Sequence, residues 1–429
     1  MRQAKLFGSM ILVFITLSCK SLQTDVTPTA PITSVRPETS TSKAYRGWLV
    51  INAQTKDTIV QEQSEQLFIP GSNIKILTLY AALKSMPAKL PTALYQVNGD
   101  TIYIQGLGNP TTLHPEWGDR ELIELIKPYK QAYLAPSPQN LWPWGPGWAW
   151  EDYDTYFAAE KNALPLWGNQ LWAIPMGQNT EFYPKSLLNK VRISAEKPAF
   201  RRARNANEFF VPQRLQDTLS IPLLTDDGLT AKLLEEASGT PTSIQAFPDG
   251  TSQLLHGRNR DQVLKKMMWQ SDNFLAEQIL LQVNYQRTGH LVDPNGTAEL
   301  AKAMFPFWKE KIRWVDASGL SRYNLMSPKA IVQALESLYD LAPYESLKSF
   351  FPAGGQRGTL KNRFKNPEGK PYVYAKTGSM GQVYCLGGYL ETDSGQILVF
   401  SAMYNNFTQP TSAVIQEIEN KLKTLKSEN

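Results

Sequence analysis

Apolar positions along the chain fall into a few readable patterns. Gly47-Trp48-Leu49-Val50-Ile51-Asn52 is a continuous apolar run of strand length and predicts a buried strand. Pro70-Gly71-Ser72 breaks the chain. The spacing of Ile74, Leu77 and Ala81 then predicts a helix with one apolar face. Thr101 to Gln105 alternates in strand fashion. Helical periodicity returns near 120–128, 227–237, 261–284 and 328–340. Toward the C-terminus, Val383 to Leu390 and Gln396 to Tyr404 read as two strands, and Val414, Ile418, Leu422 and Leu425 mark one side of a closing helix. No internal repeat is visible. The order is strands, a long mixed middle, helices, then a hairpin and a helix. It predicts an α+β fold with an antiparallel sheet rather than a βαβ winding.

Composition narrows the function classes. With 429 residues, two or three domains are expected, and 42% hydrophobic against 19% charged residues allows a large core. The net charge of +5 carries no basic run longer than Arg201-Arg202, which argues against a dedicated nucleic-acid binder. Two cysteines and three scattered histidines, His114, His256 and His290, are too few for a Cys/His zinc site. The N-terminus sets the compartment. Arg2 and Lys5 precede a mostly apolar stretch from Leu6 to Ser18, too short to span about 30 Å of hydrocarbon but suited to a signal-peptide core. Cys19 follows directly, and the context resembles a bacterial lipoprotein signal. Residues 1–18 are therefore expected to be cleaved and Cys19 to carry the lipid that anchors the protein to a membrane. The alternative is an ordinary secretory signal with an incidental cysteine. Lipidation would leave only Cys385, so no internal disulfide is expected. Residues 19–45, rich in Thr, Ser and Pro, read as a flexible tether.

Three short motifs carry candidate chemistry. In Ser72-Asn73-Ile74-Lys75, at a helix start, positions i and i+3 share a face, so hydroxyl and amine can meet. The helix N-terminus favours negative charge on the serine oxygen, and a lysine of depressed pKa can act as its base. Ser271-Asp272-Asn273 lies inside a helix-rich stretch. Lys376-Thr377-Gly378 ends the strand-like run Pro371 to Ala375 and offers an exposed ammonium and a hydroxyl to a substrate carboxylate, with a glycine that lets substrate backbone lie against the strand. Each is weak alone. Together and in this order they form the signature of penicillin-interacting serine enzymes.

The resemblance extends further. Phe68 to Lys75, Gly99-Asp100, Gly106 to Thr111, Gly147 to Asp152, Asp316 to Arg322 and Gly358-Thr359-Leu360 are similar to segments of the class C low-molecular-mass penicillin-binding proteins, the D-alanyl-D-alanine carboxypeptidase/endopeptidases. The similarity runs from about residue 46 to 405. Gly71 stands where that family usually has alanine, and Met380-Gly381-Gln382 also departs from its pattern. The resemblance implies a transpeptidase-like catalytic domain, an antiparallel sheet flanked by helices, from residues 46–87 and 256–429, with 88–255 inserted as one or more smaller domains. It implies that Ser72 attacks a D-alanyl peptide bond with Lys75 as base, and that Lys376 helps keep Lys75 neutral. Ser271 relays the proton to the leaving amine, and Asn273 binds the acyl side of the substrate. The backbone N–H groups of Ser72 and Ser379 form an oxyanion hole, while Lys376 and Thr377 hold the terminal carboxylate and Gly378 leaves room for substrate backbone. Peptidoglycan stem peptides are the implied substrates, β-lactam antibiotics the implied inhibitors, and no metal or organic cofactor is required.

Outside the motifs, Asp152 is a candidate for pairing with a side-chain amine of the stem peptide, and Arg322 for binding a carboxylate. Six tryptophans, Trp142, Trp144, Trp148, Trp150, Trp167 and Trp172, crowd residues 141–172. Stacking on glycan is one reading, and packing in the core of a small domain is preferred. Cys385, in an apolar strand, reads as a packed thiol. Two other functions fit parts of the sequence: a serine β-lactamase, disfavoured by the long insert, and a catalytically silent wall-binding lipoprotein, disfavoured by the intact motifs.

Overall fold

The computed structural model describes residues 44–196, 198–292, 296–308 and 312–429. The expected signal peptide, Cys19 and nearly all of the tether lie outside the described residues. The chain enters at β1 (Tyr45–Asn52) and β2 (Thr58–Glu62), then passes through a 3-10 turn (Gly71–Ile74) into α1 (Lys75–Ser85). A long excursion follows: β3 (Lys89–Asn98), β4 (Thr101–Gly106), α2 (Glu121–Ile126), β5 (Gln131–Leu134), β6 (Gln170–Met176), β7 (Asn179–Tyr183), β8 (Val191–Ser194), β9 (Phe209–Pro212), β10 (Leu219–Pro222), α3 (Asp227–Ser238), β11 (Thr242–Ile244) and β12 (Gln253–Asn259). The chain returns through α4 (Arg260–Gln270), α5 (Asn273–Thr288), α6 (Gly296–Met304), α7 (Pro328–Leu341) and α8 (Tyr344–Lys348). It closes with β13 (Val373–Met380), β14 (Val383–Glu391), β15 (Ile397–Asn405) and α9 (Thr411–Glu428).

The first and last strands join in one five-stranded antiparallel sheet of order β13-β14-β15-β1-β2. Its central strands are apolar on both faces because both are covered, so they read as continuous runs rather than alternations. Leu49 and Ile51 of β1 face a core shared with α1, α4, α5 and α7. Trp48 and Val50 face the opposite core, closed by Val414, Ile418, Leu422 and Leu425 of α9. Burying each such aliphatic side chain contributes about 1.5–3 kcal/mol, which fixes α9 on the sheet.

Helix α1 is not one-faced. Every residue from Lys75 to Ala82 is buried, because the helix runs between the sheet, α5 and α7. The periodic stretch near 261–284 is not one helix either. Ser271 adopts a left-handed backbone (φ 59°) that ends α4, and Asp272 caps α5 by accepting the Leu275 amide at 2.9 Å. The Lys376-Thr377-Gly378 motif lies on a strand as expected: β13 begins at Val373 and runs through the motif to Met380.

The excursion between α1 and α4 packs around its own apolar cluster, built from Ile102, Ile104, Leu122, Ala132, Leu134, Leu233 and their neighbours. Its main sheet has the order β11-β5-β4-β3-β12. Here β4 pairs with β5, and β5 with β11, in parallel, through crossovers containing α2 and α3. This βαβ winding departs from the antiparallel expectation, which holds for the five-stranded sheet that carries β1 and β13 to β15. Strands this short leave little periodicity to read. Among the described residues no helix is long and apolar enough to cross a membrane.

Candidate active site

The 3-10 turn before α1 presents Ser72, and Lys75 opens the helix one turn on. Lys75 Nζ lies 3.0 Å from Ser72 Oγ, 2.7 Å from Asn273 Oδ1 and 2.5 Å from the Ser318 carbonyl. The two oxygens of Asn273 and Ser318 can only accept. A neutral amine therefore spends both N–H bonds on them and turns its lone pair toward the serine hydroxyl. Lys75 is wholly buried, and burial pulls its pKa down to about 8 against the opposing pull of Asp316, Asp272 and Glu277. The Asn273 carboxamide is held from its other side, donating from Nδ2 to the Phe157 carbonyl at 3.1 Å.

Lys376 corrects the expectation of an exposed ammonium. It is fully buried on β13, donating to Ser271 Oγ at 2.7 Å and to the Thr377 carbonyl at 2.6 Å. Its pKa is pushed well down, first by burial and then by the charge of Lys75. Burial is thus the leading cause for both lysines, and the like-charge repulsion expected to keep Lys75 neutral instead lowers Lys376. The two motif pairs interlock: Ser72–Lys75 with Asn273, and Ser271 with Lys376. Thr377 Oγ1 donates to Thr359 Oγ1 at 2.9 Å, so the Gly358-Thr359-Leu360 segment sits against β13.

Two glycines permit this closeness. A side chain at Gly378 would collide with the Pro70 carbonyl and with Asn73, so β13 can lie against the serine turn only without one. Gly319 has a left-handed backbone (φ 81°), and a β-carbon there would strike the Gly71 peptide. The Ser379 amide nitrogen is 3.2 Å from where a β-carbon on Gly71 would sit, which brings that amide beside the Ser72 turn.

A buried polar frame lies beneath. Asp316 accepts from the amides of Gly319 (2.8 Å) and Ser321 (2.7 Å), from Asn324 Nδ2 (2.7 Å) and from the Trp148 indole (2.9 Å). Burial raises its pKa, with the Glu277 charge adding to the effect. Glu277 lies on α5 one turn beyond Asn273. Its Oε1 accepts from the amides of Ala317 (3.0 Å) and Ser318 (2.9 Å), and its Oε2 pairs with Lys161 at 3.2 Å. Glu277 and Lys161 were missed from sequence. The available signal was Glu277 itself, one turn after Asn273 and the helix's single acid.

Ser72, Ser271, Asn273, Thr377 and Ser379 all open onto one cleft of about 870 Å³. Asp152 and Arg322 open onto it too. Asp152 ends a 3-10 turn (Trp150–Asp152), and its carboxylate makes no hydrogen bond among the described residues. Burial and Glu151 push its pKa up, while Arg322 opposes. Arg322 is exposed and donates to the Gly381 carbonyl at 3.3 Å. His114, also unforeseen, lines the cleft edge-on to Trp172. Burial and Lys266 lower its pKa to about 3, so it is a neutral group. The core-packing reading of the tryptophans holds for Trp167 and Trp172 alone. Trp142, Trp144 and Trp150 are exposed, and Trp148 is half-buried. Cys385 is buried in β14, its thiol pushed up to about 12 by burial, as a packed and unreactive group. Among the described residues no three His, Cys, Asp or Glu side chains gather as a metal site.

Known proteins share stretches of this sequence and its fold. Residues 236–428 match the D-Ala-D-Ala carboxypeptidase 3 (S13) family. A D-alanyl-D-alanine carboxypeptidase DacB of Haemophilus influenzae is 32% identical over 155 residues, 34% of this chain and 32% of that protein. A D-alanyl-D-alanine carboxypeptidase of Actinomadura sp. is 27% identical over 216 residues, 48% of this chain and 39% of that protein. The chain thus matches 32% to 39% of the length of these curated relatives. The crystal structure of penicillin binding protein 4 (dacB) from Haemophilus influenzae superposes with a TM-score of 0.73 at 20% identity, covering 90% of this chain and 97% of that one. The resemblance to the class C low-molecular-mass penicillin-binding proteins, and the fold it implies, are borne out.

Proposed function

We propose that the protein is a serine D-alanyl-D-alanine carboxypeptidase/endopeptidase that acts on peptidoglycan stem peptides through an acyl-enzyme and is acylated by β-lactams. The observation that carries this reading is the meeting of three distant motifs in one cleft: Ser72 on Lys75, Lys75 on Asn273, and Ser271 on Lys376. In this reading Ser72 Oγ passes its proton to neutral Lys75 as it attacks the carbonyl of the terminal peptide bond. The oxyanion forms against the Ser72 and Ser379 amides, an arrangement worth several kcal/mol in general. The C–N bond breaks as the leaving amine takes a proton from Lys75 through Ser271. Water then adds to the ester with Lys75 again as base, releasing the acid and restoring the serine. Asn273 positions the acyl chain. Thr377, Gly378 and the field of buried Lys376 receive the terminal carboxylate, with Asp152 and Arg322 available to an amine and a carboxylate further along the stem.

Residues 46–87 and 256–429 form the catalytic body in this reading, with 88–255 as the insert. The N-terminal sequence supports an envelope location, with cleavage after residue 18 and a lipid on Cys19 as the membrane anchor. The test is incubation with labelled penicillin, following the adduct by mass. A lasting adduct on Ser72 supports the proposal. Rapid loss identifies a β-lactamase, and absence of adduct identifies a catalytically silent binder.

A further inference from the structure

The chain from Leu141 to Tyr156 has no strand, holds a 3-10 turn (Trp150–Asp152), enters a second at Tyr156, and lines the cleft from Gly147 onward. Within it, Trp142 is 72% exposed, Trp144 48%, Trp150 67% and Tyr156 66%. Solvent exposure of this much aromatic surface in one short segment marks an interaction site. The segment is nevertheless pinned from below. The Trp148 indole donates to Asp316, Ser321 Oγ donates to the Pro146 carbonyl, and the Lys161 amide donates to the Pro143 carbonyl. A segment tied at three points, two of them backbone carbonyls, is ordered before any partner arrives, which lowers the entropy cost of binding.

The chemistry of the patch selects the partner. All of its exposed large apolar side chains are aromatic. The exposed aliphatics, Val97, Met176 and Leu341 among them, lie on other segments. Its surroundings are polar: the Arg204 guanidinium stands 4.7 Å from the Trp150 ring centre, and Glu151 is exposed beside it. Flat rings with polar neighbours suit a ligand that offers C–H faces bordered by hydroxyls, which is a sugar ring. Position agrees. Ala149, Glu151, Asp152 and Tyr156 of this segment line the cleft itself.

From this we infer that the aromatic rim docks the glycan strand, with sugar rings stacking on Trp142, Trp144 and Trp150 while the attached stem peptide enters the cleft. The inference rests on the stem-peptide reading. A stem peptide is tethered to a sugar, so a scissile bond at Ser72 carries its glycan within a few residues' reach, at roughly 3.3–3.6 Å per residue.

The test compares Trp142→Ala/Trp150→Ala with the wild type in four assays: cleavage in intact sacculi, cleavage of a soluble stem peptide, penicillin acylation, and retention on immobilised glycan strands stripped of peptide. The double variant is expected to lose about tenfold on sacculi, as two lost stacking contacts predict, and to lose retention on the bare glycan. Soluble peptide and penicillin should stay within about twofold of wild type. Equal losses on sacculi and soluble peptide, no loss on either, or failure of the wild type to bind bare glycan overturns the inference. So does Trp-dependent binding to anionic lipid vesicles in place of glycan. Failure of the wild type to cleave stem peptide or take up penicillin is a different result: it removes the reading of the cleft, while the bare-glycan assay still decides the surface.

Discussion

The polar frame beneath Ser72 and the aromatic rim beside it solve opposite problems. In the frame, Lys75, Lys376, Asp316 and Glu277 are at most 2% exposed, and each has named hydrogen-bond partners. Burial is what shifts the pKa of the two lysines, and it is tolerable only because the donors and acceptors are paired. In the rim, three tryptophans and a tyrosine stand in solvent on a backbone with little regular structure. Chemistry at the serine demands fixed distances and a dry setting, whereas recognition of a polymer demands accessible surface. The Trp148–Asp316 hydrogen bond is where the two regimes meet, since one aromatic of the rim segment donates into the frame.

Breaking the frame should have the larger effects. Ser72→Ala should abolish the penicillin adduct and leave the urea unfolding midpoint near that of wild type, because the hydroxyl's hydrogen bond to Lys75 is its one named side-chain contact. Adduct at full yield on another residue rejects the nucleophile assignment. Glu277→Ala removes the partner of Lys161 and the acceptor of two buried amides, which should cost about 3–5 kcal/mol in urea denaturation. It should also slow acylation by releasing the Ser318 carbonyl that orients Lys75. A loss below about 1 kcal/mol would show that water replaces the carboxylate and that the frame is less tightly coupled than its geometry indicates.

The central sheet and the serine turn were legible in sequence, the buried Glu277 and Lys376 of the frame were not, and the reasons are physical. Strands β1, β14 and β15 are buried on both faces and announce themselves as unbroken apolar runs. The serine turn is marked by Pro70-Gly71 and by hydroxyl and amine three positions apart. The break at Ser271 was hidden because apolar spacing continues across it, from Met267 and Met268 to Phe274 and Leu275. Asp272 as a helix cap was the only local sign. Lys376 read as exposed because a lysine followed by threonine and glycine resembles a strand end. What buries it is the α4–α5 junction, more than a hundred residues earlier, which brings Ser271 onto its amine. Strands β5 and β11, of four and three residues, are too short to show a period. For the rim tryptophans, hydrophobicity favours burial, and the ties at Pro143, Pro146 and Trp148 that hold their segment at the surface come from residues distant in sequence.

Asp152 tests whether the rim segment also reads the peptide. Its backbone carbonyl accepts from the Thr155 amide and hydroxyl, so the loop-capping role belongs to the main chain and leaves the carboxylate to the cleft. Asp152→Asn should therefore leave penicillin acylation unchanged. It should lower kcat/KM for stem peptides bearing a free side-chain amine by roughly 5- to 150-fold, the equivalent of one charge-assisted contact of about 1–3 kcal/mol. The N-acetylated peptide should show no such difference between wild type and variant. Equal ratios on both peptides would assign amine recognition elsewhere.

The smallest expected effect is also the most direct report on Lys75. With its pKa near 8, set first by burial, the neutral fraction rises as pH rises through that value. If neutral Lys75 takes the Ser72 proton, single-turnover acylation should climb about fivefold from pH 7 to 8 and less than about twofold from pH 8 to 9. The carboxylate of Glu277 pulls in the opposite direction, favouring the charged amine. Glu277→Gln keeps an acceptor for the Ala317 and Ser318 amides but removes that charge, so the inflection should move to lower pH while the plateau rate stays close to wild type. A merely structural role for Glu277 would lower the plateau without moving the inflection. A flat profile between pH 7 and 9 would remove Lys75 from the base role, because burial alone would then be holding an amine that never changes its protonation during the reaction.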